Sequence, residues 1–231
     1  MRSIAAIFIK QALDMIKNRA LLPQYLIFPL VAFCTTELIA KAEEAIPDGM
    51  FVSLLAPIFT GMILMMTSAE IIAEDKERRS IRFLVMAGVK PYEYLLGIGC
   101  VVLIAAAVVS AMFGFIGGFT GEEFLKFMAI MMLGAAASMV CGAAIGMVSK
   151  NQQTAMVLCM PVAIVLGFSP MIAVFNETAR DIFGMFYTLQ MESVVSDFSS
   201  NLMEPFLVTL ANIAVLLLLF TAAYKKKGLR E

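Results

Sequence analysis

The sequence predicts an all-α, polytopic membrane protein in which six transmembrane helices follow an amphipathic interfacial helix. Three observations carry that prediction. The 231 residues are 61% hydrophobic and only 15% charged, with a mean hydropathy of +0.90. Several uncharged runs reach 20 residues or more, longer than the roughly 18 apolar residues that mark a membrane span. The charged residues gather in short segments between those runs, so each run is bounded by polar chain.

Residues 3–19 form the first element. Ile4, Ile7, Phe8, Ala12, Met15 and Ile16 fall on one helical face, with Arg2, Lys10, Asp14 and Lys17 on the other, the pattern of a helix lying along a membrane surface. These charges also interrupt any apolar stretch before it reaches the length of a secretory signal, so the chain is expected to be inserted whole. Spans are expected at 21–40, 50–73, 95–119, 124–148, 154–175 and 202–224. At a rise of about 1.5 Å per residue, each crosses a hydrocarbon core about 30 Å thick. The first span holds Pro23, Pro29 and Glu37, so a kink and a polar end are expected. Proline is tolerated in a membrane helix where neighbours satisfy the freed carbonyls.

The fourth span places Gly134, Ser138, Gly142 and Gly146 at four-residue spacing, which lines one face with small residues and lets another helix approach closely. Spacing leaves open whether that helix belongs to the same chain or to a second copy. Residues 176–201 carry Ile182, Phe183, Met185, Phe186, Tyr187, Leu189, Met191, Val194 and Val195. They predict short helices that re-enter the membrane or cap its face, the alternative being a loop with scattered apolar residues. Re-entrant backbone requires protein or a water-filled cavity to satisfy it.

Lys and Arg set the orientation. Fourteen of the 17 lie on the side that receives the N-terminal helix, residues 74–94, Lys150 and the C-terminal tail, whereas Lys41, Lys126 and Arg180 lie on the other. Basic loops remain cytoplasmic, so both termini are expected in the cytoplasm of a multi-pass plasma-membrane protein. The outer segments are correspondingly acidic, with Glu43, Glu44, Asp48, Glu122, Glu123, Glu177, Asp181, Glu192 and Asp197.

The composition excludes several kinds of chemistry. The chain contains no histidine, which removes histidine-based nucleophile pairs, HExxH zinc sites and histidine proton relays. Cys34, Cys100, Cys141 and Cys159 sit in apolar runs without CxxC spacing and read as small apolar fillers rather than a disulfide frame or metal site. No GxxxxGK[ST] sequence is present and no segment outside the spans is long enough for a soluble catalytic domain. The chain is therefore expected to be no enzyme and to hold no cofactor or metal. A net charge of −1 gives no basis for binding nucleic acid. Glu37 and Glu70 stand near span ends, where a charge costs less than at a helix centre. Each either touches a substrate or coupling ion or snorkels to the interface.

Residues 74–94, within Glu74 to Gly97, are the densest polar feature: nine charged residues between two long apolar runs. Glu74, Asp75 and Glu77 favour the first turn of a helix, Ile81, Leu84 and Val85 form an apolar stripe, and Gly88 is placed to end it. Pro91 suits the first turn of the next helix. Glu77, Arg78, Ser80, Leu84, Gly88, Val89, Leu95, Leu96 and Gly97 resemble the loop after the second span in permease subunits of bacterial type-2 ABC exporters (the ABC-2 type), Gram-positive members in particular. Arg79 departs from that pattern where Gly is usual, and Arg82 where Glu is usual. The layout of the whole chain is similar to the same group.

The resemblance implies a non-catalytic permease that exports a hydrophobic or amphipathic substrate, peptide or drug-like. Its partners would be a separate ATP-binding subunit, which holds ATP and Mg²⁺, a second permease copy or a related permease, and the lipid bilayer. It also implies that Glu77, Arg78, Arg82, Phe83, Leu84 and Gly88 couple the chain to that subunit. The competing reading is a membrane immunity or sensor protein that binds a peptide at its acidic outer face without any ATPase.

Overall fold

Helices are the regular elements throughout the described residues of the computed structural model, which are 2–18, 21–40, 42, 46 and 49–227, except for the side chains of Arg2, Ser3, Leu22, Arg82, Val85, Lys226 and Lys227. Arg19, Lys41, Glu43, Glu44, Asp48 and Arg230, which enter the charge argument, lie outside them. Among the described residues, six helices are long and apolar enough to cross a membrane.

Helix α1 (Arg2–Lys17) packs along α6 (Pro91–Ile116). Ile7 is buried directly over Gly97, where a Cβ would come within 2.6 Å of its Cγ2. The inward face runs Ile4, Ile7, Phe8, Gln11 and Met15, while Ile16, expected on that face, is 75% exposed. The cause is helical pitch: residue 16 lies about 100° beyond residue 15. It joins Ile9 and Leu13 in an outward apolar stripe, so α1 is apolar towards protein on one side and towards lipid on another.

Helix α2 (Leu21–Thr35) contains Pro29 and passes into a π-helical turn, Thr36–Ala40. The second span is α3 (Met50–Phe59), a π-helical turn at Thr60–Leu64, and α4 (Met65–Glu77). Pro57 sits just before that turn and donates no hydrogen bond. Within the turn Gly61 lets two elements approach: a Cβ there would meet Thr188 Cγ2 at 3.0 Å and Gly167 Cα at 3.1 Å. Helix α4 continues past the expected span end to Glu77, and a separate short helix, α5 (Ser80–Met86), follows.

Helix α6 begins at Pro91 and ends at Ile116 rather than Phe119, because Gly118 turns the chain at φ +68°, a conformation open chiefly to glycine. Helix α7 (Gly121–Val148) packs against α4, α6, α10 and α11. Helix α8 (Gln152–Phe175) starts where Asn151 Oδ1 accepts from the Thr154 N–H at 2.8 Å, an N-cap. Residues 176–201 form α9 (Glu177–Phe183) and α10 (Tyr187–Ser196), and α11 (Met203–Lys227) closes the chain. Thr188, Met191 and Val194 of α10 have no exposed surface. They join Phe59, Phe113, Phe127, Ile130, Met131 and Phe220 in the core. The bundle thus has a basic end, carrying α1, α5 and the C-terminus of α11, and an acidic end, carrying the α6–α7 turn and α9.

Candidate functional site

The charged segment at the basic end divides into a hub and a handle. The last turn of α4 is the hub. Lys76 Nζ donates to the carbonyls of Met147 at 3.2 Å and Ser149 at 2.7 Å, which satisfies carbonyls at the end of α7 that have no partner within their own helix. Glu77 Oε2 accepts from the Gln152 N–H at 3.3 Å, at the start of α8. Arg78 pairs with Glu74 at 2.5 Å across one helical turn. The acidic residues expected to start a loop helix instead finish a span, because the inward stripe of Ser68, Ile71 and Ile72 continues in register to Asp75.

Asp75 anchors the hub. Its residue is 4% exposed, one carboxylate oxygen accepts from Lys10 Nζ of α1, and the other from the Tyr94 hydroxyl of α6 at 3.0 Å. Tyr94 packs its ring 6.2 Å from that of Tyr224 in α11, and the Tyr224 hydroxyl donates to the Val89 carbonyl at 3.4 Å. One buried carboxylate therefore joins α1, α4 and α6, with α11 and the loop after α5 at the edge of the cluster. Opposite charges and hydrogen bonds that satisfy each other in a buried site hold their elements in one arrangement. The sequence placed Lys10 on the polar face of α1 and read Asp75 as part of a helix start, so their pairing was not foreseen; the signal was the helical register that carries Asp75 inward.

The handle is α5. Arg79 joins it to α4 at φ +59°, a left-handed conformation that costs an L-residue roughly 1–2 kcal/mol. This is the position where Gly is usual in the pattern that the segment resembles, and Arg occupies the geometry that Gly would take without strain. Gly88 ends α5 at φ +78°, with the Ala87 and Val89 N–H groups bonded back to the Phe83 and Leu84 carbonyls at 2.9 and 3.0 Å, a helix stop of the Schellman kind. The Lys90 N–H donates to Glu93 Oε2 at 3.0 Å as α6 begins. Ile81 is buried and Leu84 packs against the core, whereas Phe83 and Met86 are 67% and 66% exposed. Leu84 thus faces the bundle, Phe83 faces away, and Met86, not singled out in the sequence, accompanies Phe83. The side chain of Arg82 lies outside the described residues.

Glu37 and Glu70 are not brought together. Glu70, half-buried, lines a cavity of about 290 Å³ at the basic end with Asp14, Lys17, Thr67, Glu74 and Arg78. Glu37 is exposed in the π-helical turn and lines a different cavity, of about 400 Å³, with Phe33, Thr36 and Phe115 at the acidic end. The small residues of α7 divide by neighbour. Gly134 and Ser138 face α10, with Met191 over the glycine and the Ser138 hydroxyl 2.7 Å from that of Tyr187. Gly142 and Gly146 lie against the Met65 and Ala69 carbonyls of α4. The helix that approaches this face belongs to the same chain.

At the acidic end, Glu192 on α10 is 4% exposed, and its Oε2 has no hydrogen-bond partner among the described residues. The Arg180 guanidinium of α9 stands 3.8 Å away. Burial pushes the carboxyl above the usual range, against the opposing pull of Arg180 and of the Ser196 hydroxyl. The sequence marked Glu192 only as part of an acidic loop. The missed signal was again register, since Thr188, Met191 and Val195 share its buried face.

The family model described as ABC-2 family transporter protein matches residues 4–225. No curated protein matches the chain.

Proposed function

The chain belongs to the ABC-2 family of transporter proteins, and from that premise we propose that it is the permease of an ATP-driven exporter for hydrophobic or amphipathic cargo, peptide or drug-like. Family membership establishes a multi-pass membrane transport component and implies an ATP-binding partner subunit. ATP and Mg²⁺ belong to that partner, and no residue of this chain takes part in bond chemistry. The basic end is cytoplasmic, in keeping with the bias of Lys and Arg, and the chain works as a homodimer or beside a related permease.

The observation that carries this reading is an exposed apolar pair on α5 next to a cluster of polar contacts at the basic end. Phe83 and Met86 project from α5, a shape suited to a groove on the partner, with Glu77 and Arg78 supplying charge at the end of α4 beside it. Behind them, Ile81 and Leu84 bear on the bundle. When the partner subunits close on ATP, α5 moves and pushes the end of α4. Lys76 and Glu77 carry that push to the α7–α8 turn, and Asp75 carries it to α1 and α6. The π-helical turn at Thr60–Leu64 is where the span can bend, as such turns commonly mark functional points in a helix.

The test is co-purification with the ATP-binding subunit from cells expressing both, combined with a transport assay. Reversing charge at Arg78 and Arg82 together is expected to lower both recovery of the subunit and transport. Full recovery and undiminished transport by that double variant would overturn the assignment. Full activity in cells lacking the ATPase would instead favour the sensor or immunity reading.

A further inference from the structure

We propose that the cavity between the ends of α3, α8 and α10 at the acidic end binds a cationic amphiphile, with Glu192 as the counter-charge to its ammonium or guanidinium group. The cavity has a volume of about 450 Å³, within the range of about 300–1,000 Å³ typical of small-molecule sites. Its wall has two chemistries. Leu54, Phe119 and Phe198 supply apolar surface, and Ser53, Glu123 and Glu192 supply oxygen atoms; among the described residues no Lys or Arg lines it. The Ser53 hydroxyl already donates to the Met50 carbonyl at 2.8 Å, so its lone pairs are left to accept from a ligand N–H. Glu123 is exposed, whereas Glu192 is buried.

Glu192 separates this cavity from an ordinary acidic surface. A buried carboxylate is costly unless it is paired and hydrogen-bonded. Its Oε2 has no hydrogen-bond partner among the described residues, and the 3.8 Å to Arg180 is too long for a hydrogen bond. Arg180 is itself 58% exposed, so water screens its charge and it compensates Glu192 only partly. Arg180 is thus an internal stand-in for the cation, and a ligand bearing its own ammonium or guanidinium group displaces it. The apolar wall then covers the hydrocarbon or aromatic body of the same ligand. For the fate of the ligand this inference rests on the transport reading and names its cargo class, whereas binding itself requires no ATPase.

Binding is measured on the full chain in nanodiscs of zwitterionic lipid, which avoid attraction of the probe to anionic headgroups. The probe is Nα-dansyl-lysine amide, whose ε-ammonium is free, compared with its neutral Nε-acetyl derivative by fluorescence titration. The native protein is expected to bind the cationic probe about tenfold more tightly than the neutral one. Glu192→Gln removes that preference, Glu192→Asp keeps part of it, and Arg180→Ala increases it by removing the competitor. Equal affinity of the native protein for both probes overturns the proposal, as does a preference that survives Glu192→Gln in a folded protein. Should Glu192→Gln fail to fold, Arg180→Ala decides: a preference that does not rise overturns it. Equal affinity of the native protein for both probes together with intact ATPase co-purification rejects the inference alone. Intact probe selectivity without an ATPase partner rejects only the permease reading.

Discussion

Arg79 shows how one residue can depart from a pattern and still reveal its purpose. The left-handed turn between α4 and α5 is set by the need to break the helix at the hub, and Gly would adopt it freely. Arg79→Gly is expected to raise stability by up to about 1 kcal/mol, the relieved strain being partly offset by glycine's larger unfolded-state entropy. Thermal unfolding in detergent checks this, with Arg79→Ala as the control that gains nothing. Glu192 allows a prediction of opposite character. Its pKa is raised by burial, so its charge destabilises the fold as pH rises through that pKa, and the protonated form is favoured below it. Glu192→Gln should therefore raise the melting temperature at alkaline pH, and the gain should shrink as the pH falls through the raised pKa and the native carboxyl takes up its proton. Both residues were visible in the sequence as charges. Their geometry was not, since a positive φ and an inward-facing carboxylate arise from packing that composition does not record.

At the scale of elements, apolar run length and the bounding charges made the long helices legible, because a span must satisfy its own backbone and bury no free charge. The π-helical turns at Thr36–Ala40 and Thr60–Leu64 were not legible. A π-turn adds a residue without altering the apolar pattern, and here it depends on Gly61 lying against Gly167 and Thr188. The start of the charged segment was misread for a related reason: Glu74, Asp75 and Glu77 suit a helix beginning, but the stripe ahead of them carries α4 onward. The small-residue face of α7 gives an ordered prediction. At Gly142 a Cβ would strike the Met65 backbone carbonyl, whereas at Gly134 it would meet the side chain of Met191, which can move. Gly142→Ala should cost on the order of 1–3 kcal/mol and Gly134→Ala clearly less. Parallel thermal unfolding of the two variants ranks them, and equal losses would contradict this view of the α4–α7 contact.

For the whole molecule, the two ends have different characters that follow from one sequence bias. The basic end concentrates ordered polar contacts at Lys10, Asp75, Lys76, Glu77 and Tyr94, with an exposed apolar pair on α5 beyond them. The acidic end holds open cavities beside Glu37 and Glu192. The sequence conveyed the handle through Gly88 and Pro91, but not the hub, whose members lie far apart in the chain and meet only when α1, α4 and α6 pack. The central claim is that Phe83 and Met86 seat in an ATP-binding subunit. It is tested most directly by placing a photo-crosslinking amino acid at position 83 or 86 in cells that express the full transporter. The account predicts a covalent adduct with the ATP-binding subunit from both positions and none from position 158, where Leu158 is an exposed apolar residue of α8. Adducts with lipid alone, or the same yield from position 158, would contradict it.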